Sequence, residues 1–82
     1  MKIKILGSGC SKCRLLLSAA EQAAAELDAG ISVTKVDNIM KIMEYNILRT
    51  PALVINENVV SEGKLLSKNE IKDMLVQHRD AL

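Results

Sequence analysis

The sequence predicts an α/β domain of order βαβαββα, with a four-stranded mixed sheet flanked by three helices. Three observations carry that expectation. Apolar residues alternate, then recur at three- and four-residue spacing, then alternate again through the first half of the chain. A wholly apolar run, Ala52-Leu53-Val54-Ile55, suits a central strand. Asn56-Glu57-Asn58 then turns the chain back into Val59-Val60-Ser61, a short-loop hairpin. Strands alternating with helices imply parallel pairing with right-handed crossovers, and the hairpin adds antiparallel strands. Helices are expected on both faces of the sheet.

The first strand is Ile3, Ile5 and Leu6 interleaved with Lys2 and Lys4, over residues 2–6. Gly7-Ser8-Gly9 breaks it. From Cys10 a helix begins, with Cys13, Leu16, Leu17, Ala20, Ala23, Ala24 and Leu27 on one face and Lys12, Glu21, Gln22 and Glu26 on the other. Asp28-Ala29-Gly30 ends it, Gly30 being suited to a left-handed cap. Ile31 to Val36 alternates and is rich in β-branched residues, a second strand. Asp37 or Asn38 caps a short helix through about Tyr45, with Ile39, Ile42 and Met43 as its buried stripe and Asn46 at its end. Met40, Met43, Tyr45 and Met74 read as core residues. Ser67 with Glu70 forms a capping box for the last helix, whose inner face is Ile71, Met74, Leu75 and His78.

A chain of 82 residues is expected to form a single domain, residues 1–82. Its apolar fraction of 49% supports a core without metal or disulfide staples, and that core is aliphatic, because Tyr45 is the only aromatic residue. A net charge of +1 with both signs scattered gives no footprint for nucleic acid or an anionic membrane. Stacking platforms for single strands are missing as well. The amino-terminal apolar run is too short for a signal peptide, and no segment is long enough to cross a bilayer. The expected location is therefore the cytoplasm, where a close cysteine pair is catalytic or metal-binding rather than structural.

Cys10-Ser11-Lys12-Cys13 stands where the first strand feeds the first helix. At or beside the helix N-cap, Cys10 faces unpaired backbone N–H groups and the positive end of the dipole. That setting favours a thiolate and lowers the thiol pKa. Lys12, with Arg14, adds positive charge. Cys13 lies about one turn on, near enough to close a small disulfide ring, and points inward. One exposed attacker and one sheltered resolver is the asymmetry that two-step exchange requires.

Two other readings compete. The cysteines can be small buried hydrophobes, but two would have to coincide at a glycine-flanked junction. They can also hold a soft metal ion or metalloid, since thiolates suit such ions. Copper-carrier domains of ferredoxin-like fold carry the same motif after a first strand, but they end in a strand, whereas this chain ends in a capped helix. Two thiolates are an incomplete zinc site, and His78, the only histidine, stands near the far end of the chain. Gly7-Ser8-Gly9 is no dinucleotide fingerprint; it is a turn that lets a partner's backbone approach Cys10. Pro51, the only proline, reads as punctuation before a strand, and Arg49 as a solvated side chain.

The chain resembles the small redox-active-disulfide proteins of archaea and bacteria, the glutaredoxin-like minimal thioredoxins. The resemblance spans nearly the whole length. It rests on Lys2 through Cys13, on Ile42-Met43-Glu44-Tyr45, on Thr50-Pro51-Ala52-Leu53-Val54-Ile55-Asn56, and on Gly63-Lys64 before Ser67-Lys68-Asn69-Glu70-Ile71. It implies a thioredoxin/glutaredoxin-like fold, a cis Pro51 beside the disulfide, Cys10 as nucleophile and Cys13 as resolver. Thr50 and Pro51 shape the substrate groove, and no cofactor or metal is implied. Ser11-Lys12 replaces the Gly-Pro of ordinary thioredoxins. Ser61-Glu62-Gly63-Lys64 stands where glutaredoxins carry the Gly-Gly-x-Asp that holds glutathione. The expected partners are therefore disulfide-containing proteins and a thioredoxin-reductase-like electron donor rather than glutathione. The alternatives are metal or metalloid transfer by the same thiolates, and a noncatalytic interaction module on this scaffold.

Overall fold

The computed structural model describes residues 1–7, 11–27 and 30–80, the side chains of residues 79 and 80 excepted. The order is β1 (Lys2–Leu6), α1 (Ser11–Leu27), β2 (Ser32–Val36), α2 (Ile39–Met43), β3 (Ala52–Ile55), β4 (Asn58–Glu62) and α3 (Lys68–Asp80). The strands form one sheet in the order β2-β1-β3-β4. β1 runs parallel to β2 and antiparallel to β3, and β3 is antiparallel to β4. The predicted mixed sheet and element order are thus present. Ser8, Gly9, Cys10, Asp28 and Ala29 lie outside the described residues.

The two central strands are apolar because both of their faces are covered. On one face Ile3, Ile5, Leu53 and Ile55 pack against Leu16, Ala20, Ala23 and Ala24 of α1 and Ile71 and Leu75 of α3. On the other, Leu6, Ala52 and Val54 pack against Ile42, with Val36, Tyr45, Ile47 and Val59 around them. Burying each large aliphatic side chain contributes roughly 1.5–3 kcal/mol. Three alanines on the inner face of α1 keep that helix close to the sheet. Glu26 ties α1 to α3 through Lys68 (2.7 Å) and Lys72 (3.1 Å). These hydrogen bonds, from Lys68 first, hold the Glu26 carboxyl below its ordinary pKa. As exposed pairs they add little to stability.

The capping box is formed as expected. Glu70 N–H donates to Ser67 Oγ (3.2 Å), and Ser67 N–H donates to Glu70 Oε1 (3.4 Å). Asn38 caps α2, its Oδ1 accepting from Met40 N–H (2.9 Å), and Asn46 takes the left-handed conformation with φ 55°. α2 differs from the expectation in two ways. It ends at Met43, with residues 44–46 in a turn, and its buried stripe is Ile42 alone. Ile39, Met40 and Met43 are exposed at 68%, 74% and 69%. A five-residue helix presents little more than one turn, so only one side chain faces the sheet squarely.

Candidate functional site

The site forms where the carboxyl end of β1 meets the start of α1 and the entry to β3. Gly7 continues the pairing of β1 with β2, its N–H donating to Val36 O (3.0 Å). α1 starts at Ser11 and turns Cys13 inward, leaving it 2% exposed. The inward turn follows from the apolar period, since Cys13 shares a face with Leu16 and Ala20. Gly7 is the space into which the sulfur fits. A Cβ placed on residue 7 would collide with Cys13 Sγ, and would lie 3.5 Å from Cys13 Cβ and 3.8 Å from Pro51 Cα. Gly7, Cys13 and Pro51 therefore converge, although Pro51 lies 38 positions beyond Cys13 in the chain.

Pro51 is buried, and the Thr50–Pro51 bond is cis, as the family resemblance implies. Pro51 O accepts from Gly63 N–H at 2.8 Å, which fastens the proline to the end of β4. Gly63 has φ +66°, a backbone region that favours glycine. Thr50 and Lys12 are exposed, Lys12 in the first turn of α1. Cys10, the expected nucleophile, lies outside the described residues but is bonded directly to Ser11, the first residue of α1.

Sequence reasoning missed two features. It read Gly7 only as part of a turn, whereas Gly7 is buried against the Cys13 sulfur. A glycine at the end of a strand, six residues before an inward cysteine, was the available signal. It also missed a polar cluster on the α2 face. Lys4 Nζ donates to Glu57 Oε1 (2.6 Å) and Tyr45 OH (3.0 Å), and Tyr45 OH donates to Glu57 Oε2 (3.2 Å). These bonds, with Glu57 first, raise the Lys4 ammonium above its ordinary range, and Lys4 lowers the Glu57 carboxyl. The cluster borders an open, mixed-charge cavity of about 480 Å³ beside Lys35, Asp37 and Lys41. No described helix is long and apolar enough to cross a membrane.

Comparison with known proteins bears on the family and the fold. A thioredoxin-domain family model matches residues 1–76. The chain is 33% identical over 75 residues to a thioredoxin of Methanothermobacter thermautotrophicus, covering 92% of this chain and 97% of the relative. It is 34% identical over 73 residues to a thioredoxin of Methanocaldococcus jannaschii, covering 89% and 84%. A solved structure described as that of a malarial protein superposes with a TM-score of 0.71 over 94% of both chains, at 15% identity, a likeness of fold. With a family model that matches most of its length and relatives at about a third identity, this chain belongs to the thioredoxin-domain family.

Proposed function

We propose that this chain, a thioredoxin-like redox protein, is a cytoplasmic thiol–disulfide oxidoreductase that uses Cys10 and Cys13 to reduce disulfides in partner proteins or small molecules. The observation that carries the reading is the convergence of the Cys13 sulfur, Gly7 and cis Pro51 at the start of α1. Chain connectivity supports Cys10 beside that helix start, where backbone N–H groups and the dipole favour a thiolate. Lys12 adds positive charge there.

The Cys10 thiolate attacks one sulfur of the partner disulfide. The partner S–S bond breaks, a Cys10–partner bond forms, and the released partner thiolate takes a proton. Cys13 then loses its proton and attacks the Cys10 sulfur. This releases the second partner thiol and leaves a Cys10–Cys13 disulfide. Two electrons pass to the partner, and a thioredoxin-reductase-like donor restores the dithiol. Thr50 and Pro51 shape the groove for the partner's extended segment.

Cys13→Ser is expected to stop turnover and accumulate the mixed disulfide on Cys10, whereas Cys10→Ser gives neither turnover nor adduct. Insulin reduction, run with thioredoxin reductase and separately with glutathione, measures turnover, and mass spectrometry measures the adduct. Wild-type rates in both variants would overturn the mechanism. Tight stoichiometric binding of copper(I), zinc or arsenite without reductase activity would favour metal transfer instead.

A further inference from the structure

The rim of the site carries a cation that the exchange chemistry leaves unused. Arg49 stands two residues before Pro51 and is exposed. Its stem lies on Gly63: a Cβ built on that glycine would be 3.0, 3.1 and 3.6 Å from Arg49 Cβ, Cδ and Cγ. Gly63 is itself bonded to Pro51 O at 2.8 Å, so the arginine stem, the glycine and the cis proline form one connected unit. A stem laid on backbone has less rotamer freedom to lose when its head group binds.

The acid at the end of β4 does not pair with this head group. The Glu62 carboxylate accepts from Leu48 N–H at 3.4 Å, and among the described residues Arg49 forms no ion pair. Lys12 and Arg14 at the start of α1, and Lys64 next to Gly63, are exposed as well. Exposed cations thus stand on the segments adjoining Cys13, Pro51 and Gly63, although the whole chain carries a net charge of only +1.

We propose that Arg49 is a specificity-determining residue, selecting disulfide partners that carry a carboxylate beside the bond to be reduced; this rests on the oxidoreductase reading above. The guanidinium presents paired donors that match a carboxylate, while its exposure keeps the gain modest and sensitive to salt.

The test uses the full chain and two disulfide-linked peptides that differ only by Glu or Gln next to the half-cystine. The readout is the ratio of their kcat/KM values. Wild type is expected to favour the Glu peptide about threefold at low salt, the range of an exposed ion pair, with the ratio shrinking in added salt. Arg49→Ala should bring the ratio to about one, Arg49→Lys should retain part of it, and Arg49→Glu should reverse it. Because each variant is its own control across the two peptides, a general loss of folding does not mimic the result. An unchanged ratio in Arg49→Ala would overturn the assignment. If wild type reduced neither peptide, the oxidoreductase reading would fail, and the specificity with it.

Discussion

A methyl group on residue 7 would meet the Cys13 sulfur, so the smallest possible enlargement of Gly7 probes the site without touching either cysteine. The sulfur is the end of a short side chain and yields by rotating, but Cys13 is only 2% exposed, which leaves it little room. Overpacking of this kind costs about 1–3 kcal/mol. Gly7→Ala is therefore expected to lower the melting temperature and to slow the resolving step more than the first attack. The mixed disulfide on Cys10 should then build up transiently, as read by acid quenching and mass spectrometry. A resolving rate equal to wild type would show that the contact has no mechanistic weight. The spacing of Cys10 and Cys13 was legible in the sequence, because it falls on a strand-to-helix junction whose periodicity is local. The contacts of Gly7 with Cys13, and of Arg49 with Gly63, were not. Each joins residues from different elements, and only tertiary packing brings them together.

At the scale of elements, the β3–β4 hairpin shows two local preferences in conflict. Its two-residue loop has φ 49° at Asn56 and 69° at Glu57, the geometry in which Asn-Gly is favoured. Asparagine tolerates it, but glutamate in this region costs roughly 1–2 kcal/mol. Glu57 is held there by Lys4 and Tyr45, yet its carboxylate is largely exposed, and an exposed pair contributes less than the backbone term. Glu57→Gly is therefore expected to raise the urea midpoint at pH 7. The pH dependence has a definite sign. The Glu57 carboxyl lies below its ordinary range in the folded state, so its contribution is present above that range and lost as pH falls through the folded value. The advantage of Glu57→Gly should accordingly widen at pH 3. A lower midpoint at pH 7 would mean that the Lys4–Tyr45–Glu57 cluster outweighs the backbone strain. The turn and the Ser67–Glu70 capping box were legible because their chemistry lies within a few residues. The buried face of α2 was misread because five residues are too few for a three-and-four period to single out one stripe.

Across the whole molecule the two faces of the sheet are unequally covered. α1 and α3 form a continuous aliphatic layer over Ile3, Ile5, Leu53 and Ile55, whereas α2 anchors to the other face through Ile42, with Tyr45 and Ile47 half-buried after it. The alternation of periods made the βαβαββα order legible, but not the placement of β1 between β2 and β3, which depends on pairing between distant segments. The unequal cover sets which part opens first. Elements with few buried apolar contacts open with small free energies, and a short helix gains little from its own hydrogen bonds. The amides of Ile42, Glu44 and Tyr45, bonded only to Asn38, Lys41 and Ile42 carbonyls, are expected to exchange through local opening. Their exchange should be insensitive to low urea, while β1 and β3 exchange only with global unfolding. Leu53→Ala, which empties the centre of the larger core, should cost about 2–5 kcal/mol and accelerate exchange in the strands. Ile42→Ala should act chiefly on α2. α2 and the turn at residues 44–46 precede Leu48, Arg49 and cis Pro51, so opening of α2 is expected to loosen that segment as well. Exchange of the α2 amides at the same rate and with the same urea dependence as β3 would contradict this division.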